Sequence, residues 1–188
     1  SEEQFQQSLE KTINLLKQLQ AEQKLDEAVK TAEEMVEEQQ NIDQELGQEP
    51  SSDEMQDLAD QQAEQDPRLE QLQKTIDELM KGMEEMPQMQ LPSQDVQQAG
   101  EMANNEQLQQ TLQQMQQQLQ SGKQQQAQQS GENIEQSLQD IQEALAQAQE
   151  QMQSQQKAAV QRALQRGARD LLQLSRRQEQ LEQELSGK

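Results

Sequence analysis

The sequence predicts an all-α protein built from elongated antiparallel helical hairpins or coiled coil, with no β-sheet. Three observations carry this. Apolar residues recur in alternating steps of three and four, as in Ile134, Leu138, Ile141, Leu145, Ala148 and Met152. A 3-4 alternation averages about 3.5 residues and draws one apolar seam along a helix. The residues between the seams are strong helix formers, led by 50 glutamines. No stretch alternates with the period of two that marks a half-buried strand.

The elements follow in order. Residues 1–47 read as a helical hairpin or one long helix. Phe5, Leu9, Thr12, Leu16 and Leu19 form a seam over Glu2–Gln20, and Leu25, Ala28, Val29, Ala32, Met35, Val36 and Ile42 form another over Leu25–Leu46. Gln20–Lys24 contains neither Gly nor Pro, so a turn there competes with unbroken helix. Residues 48–92 read as two short helices with proline-containing breaks. Gly47, Pro50, Ser51 and Ser52 end the preceding helix, and Ser51 followed by Glu54 has capping-box spacing. Asp66-Pro67 has the form of an N-cap with Pro at the first helical position, opening a helix to about Met86 with the seam Leu69, Leu72, Ile76, Leu79, Met83 and Met86.

Residues 93–131 read as a glutamine-rich helix, capped by Ser93, and a turn. Leu108, Leu112, Met115 and Leu119 carry its seam, and Ser121-Gly122-Lys123 is the candidate turn, with one continuous helix weakened by glycine as its alternative. Residues 132–188 read as one long coiled-coil helix. Its interaction seam is Ile134, Leu138, Ile141, Leu145, Leu164, Leu171, Leu174, Gln178 and Leu181, with Gly167 and Gln178 its two imperfect members. Two consecutive steps of four, from Met152 through Gln156 to Val160, shift the heptad phase as a stutter does.

Composition excludes much chemistry. The chain has no Cys, His, Trp or Tyr, and Phe5 is its one aromatic residue. Disulfides, Cys- or His-based zinc sites and nucleophilic triads with His are therefore absent. Val, Ile, Leu and Phe total 32 of 188 residues and the net charge is -21, which argues against a globule around one packed core. Thin helices offer no desolvated pocket, so acidic pairs such as Glu33-Glu34 and Glu84-Glu85 read as solvated faces, and no catalysis is expected. No apolar run spans a bilayer and no signal peptide is present. A chain beginning at Ser1 is expected to be a piece of something longer.

Two features could bind. Met80, Met83, Met86 and Met89 recur every third residue. Converging thioethers suit Cu(I), but the same residues extend the Leu69–Leu79 seam as flexible hydrophobes, which is the favoured reading, so no metal site or cofactor is expected. Charge is also uneven. Residues 1–156 hold 8 basic and 32 acidic side chains, and residues 157–188 hold 7 and 4. The basic stretch of Lys157, Arg162, Arg166, Arg169, Arg176 and Arg177 fits acidic helices better than nucleic acid, because no stacking aromatics accompany it.

The Leu-rich Gln/Glu helices, the Leu119-Gln-Ser-Gly-Lys…Ala127 hairpin and the run Asp170-Leu-Leu-Gln-Leu-Ser-Arg-Arg-Gln-Glu-Gln-Leu181 resemble the coiled-coil region of large bacterial membrane-anchored envelope proteins of unknown function. This implies an envelope-associated scaffold whose anchor lies outside the sequence. Leu174-Ser175-x-x-Gln178 is also similar to the Leu-Thr-x-x-Gln motif of small periplasmic helical chaperones, with Ser in place of Thr. The expected function is a non-catalytic scaffold acting through protein partners or self-association, with a chaperone-like module or a Met-based copper binder as alternatives.

Overall fold

The computed structural model describes residues 2–87 and 89–186, with side chains described up to Glu179. Six helices are present among these residues: α1 (Glu2–Leu46), α2 (Ser52–Ala63), α3 (Gln65–Glu84), α4 (Ser93–Ala103), α5 (Glu106–Gln120) and α6 (Gln124–Ser186). The protein is all-α, with no strand among the described residues. It divides into two units, residues 1–150 and 151–188.

The first unit is an antiparallel bundle of four rods: α1, α2 with α3, α4 with α5, and α6 up to residue 150. Cross-links fix the directions. Lys17, Lys24 and Glu38 of α1 pair with Glu85, the C-cap of α3, and with Glu78 and Arg68 of α3 at 2.8, 2.6 and 2.8 Å. Rising numbers on α1 meet falling numbers on α3. The Gln73 amide donates to the Ala103 carbonyl at 2.7 Å, linking α3 to α4. The Ser130 hydroxyl donates to Gln118 at 2.8 Å, linking α6 to α5. The bundle closes where Gln124 donates to the Leu46 carbonyl at 2.7 Å, Gln40 to Glu135 at 2.9 Å and Gln149 to Asp26 at 2.8 Å. This is the up-down-up-down arrangement of four-helix bundles.

The packed core corrects the expectation drawn from composition. Ile42, Leu58, Leu69, Ile76, Leu112, Ile134, Leu138 and Ile141 are fully buried. Alanines 28, 32, 59, 99, 103, 127 and 148 and methionines 35 and 115 fill the space between them. A tally of Val, Ile, Leu and Phe misses this, because small Ala lets helices approach and Met fills irregular gaps.

Local chemistry sets the element ends. α1 runs unbroken through Gln20–Lys24, because that stretch is all good helix formers and Ala21 and Leu25 carry the buried stripe across it. The Ser51 capping box forms, with the Ser51 N–H donating to Glu54 at 2.6 Å and the Glu54 N–H to the Ser51 hydroxyl at 3.4 Å. Asp66 is not the N-cap of α3. The helix begins one residue earlier, and Pro67 sits third, where its missing N–H would have no helical partner anyway. Ser93 is likewise the first residue of α4, and Pro92 occupies the cap.

The expected single helix before the Ser121 turn is two helices. Asn104 donates to the Gly100 carbonyl at 3.0 Å to finish α4, and the Asn105 side chain accepts from the Gln107 N–H at 2.8 Å to cap α5. The α5–α6 turn is a Schellman motif. Lys123 N–H bonds to the Gln118 carbonyl at 2.9 Å and Gly122 N–H to the Leu119 carbonyl at 3.0 Å, with Gly122 at φ 68°.

Candidate functional site

The seam read along residues 132–188 serves two different surfaces. Ile134, Leu138, Ile141 and Leu145 are fully buried and covered by the rest of the bundle. Leu164, Leu171 and Leu174 are 68%, 69% and 58% exposed, too open to be part of any core formed within the described chain. Gln178 is exposed with them. The side chain of Leu181 lies outside the described residues. Beyond the expected set, Val160 and Leu172 are also exposed, as are Phe5, Leu9, Ile13, Leu15, Leu16 and Leu19 on the first turns of α1. An apolar helical face left in water needs a partner, because isolated helices are marginal without packing.

Heptad geometry sorts the charges around the α6 seam. If Leu164 and Leu171 occupy one seam position, Leu174 occupies the other. Arg162, Arg169 and Arg176 then repeat every seven residues on the opposite face, and all are exposed. Asp170 and Arg177 both fall at the position just before the first seam residue, on the rim of the apolar strip. Neither has an ion-pair partner among the described residues.

Inside the bundle lies a polar cluster that the sequence reading missed. Gln39 is fully buried, donates to Asp43 at 3.0 Å and lies 3.6 Å from the Met115 sulfur. Asp43 pushes its carboxylate against the backbone of α6 at Gly131, where an added Cβ would collide with it. Burial pushes the Asp43 carboxyl up to about 7, against the Gln39 hydrogen bond, which lowers it. The Glu135 and Glu132 carboxylates add to the rise. Thin helices were expected to shift no such group; a packed bundle does. The signal was a glycine at an inward position, four residues after Ala127 and three before Ile134, where a close approach is the usual reason for losing a side chain. Gln65 is buried too, donating to the Met35 carbonyl at 3.4 Å and to Glu38 at 3.3 Å. These contacts tie rods together.

The four methionines meet around one concavity at the α3–α4 turn, shared with Pro87, Leu91, Ser93 and Gln97. Met83 and Met86 are buried, while Met80 and Met89 are half-buried. An open groove between α1 and α3 is floored by Ala21 and Leu79 and rimmed by the Lys17–Glu85 and Lys24–Glu78 pairs. Those pairs hold the Glu78 and Glu85 carboxyls below their ordinary range, through a hydrogen bond from each lysine first and its charge second. Among the described residues, no three acidic side chains are grouped to hold a metal ion, and no helix is long and apolar enough to cross a membrane. Comparison with protein-family models, curated proteins and solved structures finds no significant match.

Proposed function

We propose that this chain is a non-catalytic helical scaffold. The bundle of residues 21–150 is the rigid support, and the exposed seam at Val160, Leu164, Leu171 and Leu174 docks a partner helix. One observation carries the reading: the 3-4 apolar seam of α6 is buried in the bundle and, past the phase shift at Met152–Val160, resumes as an open seam. The resemblance to coiled-coil regions of membrane-anchored proteins supports an envelope setting, with membrane contact only through an anchor outside this stretch.

A photo-crosslinking residue in place of Leu171, tested in cells, reads the docking directly. A few discrete adducts, absent when the same residue replaces exposed Asp60, are expected. No adduct contradicts docking, and a continuous smear supports a chaperone-like module for unfolded clients instead.

A second reading, soft-metal binding, is favoured by the shared concavity of Met80, Met83, Met86 and Met89. Buried Met83 and Met86 already serve the core, so packing remains the preferred role. Titration against a competing Cu(I) chelator separates the two: packing predicts no tight equivalent.

A further inference from the structure

We infer that the helix docked on the exposed α6 seam is the same helix of a second copy of this chain, running antiparallel. The inference rests on the scaffold reading and adds to it an occupant and a register.

Two members of the seam depart from an apolar side chain, Gly167 and Gln178. Gly167 lacks a side chain, and a Cβ built there would meet nothing within 4 Å. Gln178 puts a long polar side chain on the apolar strip. In an antiparallel pair, each layer joins one kind of seam position to the other kind on the partner. Centring the two copies midway between Leu171 and Leu174 joins Leu171 to Leu174 of the second copy, and Leu174 to its Leu171. The next layers outward then join Gly167 to Gln178 of the second copy, and Gln178 to its Gly167. The polar side chain enters the space that the glycine leaves, so both departures from an apolar seam fall in one kind of layer. There the Gln178 amide can reach the rim and water.

The rim charges are complementary in the same register. In antiparallel pairs, the position preceding the first seam residue faces its own equivalent on the partner. Asp170 precedes Leu171, and Arg177 lies three residues beyond Leu174, so Asp170 faces Arg177 of the second copy and Arg177 faces its Asp170. Two symmetric ion pairs flank the central leucine layers. Both groups are exposed and without an ion-pair partner among the described residues of one copy. The opposite-face arginines Arg162, Arg169 and Arg176 point away from the contact, where like charges on the two copies do not meet.

A two-fold axis fits these observations, because a symmetric homodimer needs a self-complementary surface. A partner of different sequence would have no reason to find a glycine, a glutamine and an opposite-charge pair placed at equal distances from one centre.

Sedimentation velocity on the full chain over a concentration series tests this, with Asp170→Arg, Arg177→Asp and the double substitution. These exposed rim positions leave the bundle untouched. The wild type is expected to sediment as a dimer that dissociates on dilution. Each single substitution sets like charges face to face in both symmetric pairs and weakens the dimer about 10-fold at low salt. The double substitution restores opposite pairs and returns the dimer to near wild-type strength. A wild type that stays monomeric at about 100 µM overturns the inference. A dimer unaffected by the single changes, or one weakened further by the double change, overturns the antiparallel register. In each of these cases discrete photo-adducts from position 171 would still sustain the scaffold reading, and their absence would end it.

Discussion

At the residue scale, Asp43 and Gly131 account for each other. The carboxylate occupies the volume a side chain at 131 would need, so two ordinarily similar glycine substitutions should differ in sign. Gly82 also lies in a helix, but open space surrounds its Cβ position. Gly82→Ala should stabilise the fold by about 0.5–1 kcal/mol, since alanine loses less backbone entropy in a helix. Gly131→Ala should destabilise it by about 1–3 kcal/mol, because the buried carboxylate must move. Chemical denaturation of the two variants reads both.

The titration of Asp43 has a definite sign. Its folded-state value, about 7, lies above the ordinary 3.8, so the folded chain binds this proton more tightly than the unfolded chain. The stability it contributes is full below about pH 4 and is lost as pH rises towards 7. Glu22, Glu38 and Asp66 are raised as well, each chiefly by burial, and act in the same direction. The melting temperature should therefore fall between pH 5 and 8. Asp43→Asn should flatten that slope and gain of order 1 kcal/mol at pH 8, after allowance for the solvent exposure of this site. An unchanged slope would show that the carboxylate is hydrated rather than buried.

At the element scale, α6 shows that one pattern can have two fates. Leu138 and Leu171 both lie on 3-4 apolar seams, one on each side of the phase shift at Met152–Val160, but only Leu138 is covered. Leu138→Ala should cost about 2–5 kcal/mol of bundle stability. Leu171→Ala should change the melting of a dilute sample by less than about 0.5 kcal/mol, as substitutions of exposed residues do.

The rhythm itself, the Ser51 capping box and the Gly122 turn were all legible, because each is a local pattern of a few residues. Whether a seam would be closed or open was not legible. Burial depends on which other rod lies alongside, and periodicity does not name the rod. The Asn104–Asn105 break is masked in the sequence by the surrounding glutamines, which favour helix. The two asparagines end one helix and cap the next by side-chain bonds to the backbone, the competition that makes Asn a boundary residue. The Asp66 cap failed for a related reason. Glu64 already joins α2 to α3 through its N–H to the Gln61 carbonyl at 3.1 Å, leaving the proline inside the first turn.

At the scale of the whole molecule, the buried core and the open seam lie in different stretches of the chain. The bundle of residues 21–150 uses Ala, Met and Leu to close its core, and residues 1–156 carry 32 acidic against 8 basic side chains. Residues 157–188 carry the opposite charge balance and the open seam. A chain organised this way should gain amide protection beyond residue 157 when copies meet. Hydrogen exchange read by mass spectrometry across a dilution series tests this most directly. Amides of residues 21–150 should be protected at every concentration, while those of residues 160–179 should gain protection as concentration rises through the dimer range. Protection of residues 160–179 that matches the bundle at the lowest concentration and does not change on dilution would contradict the account.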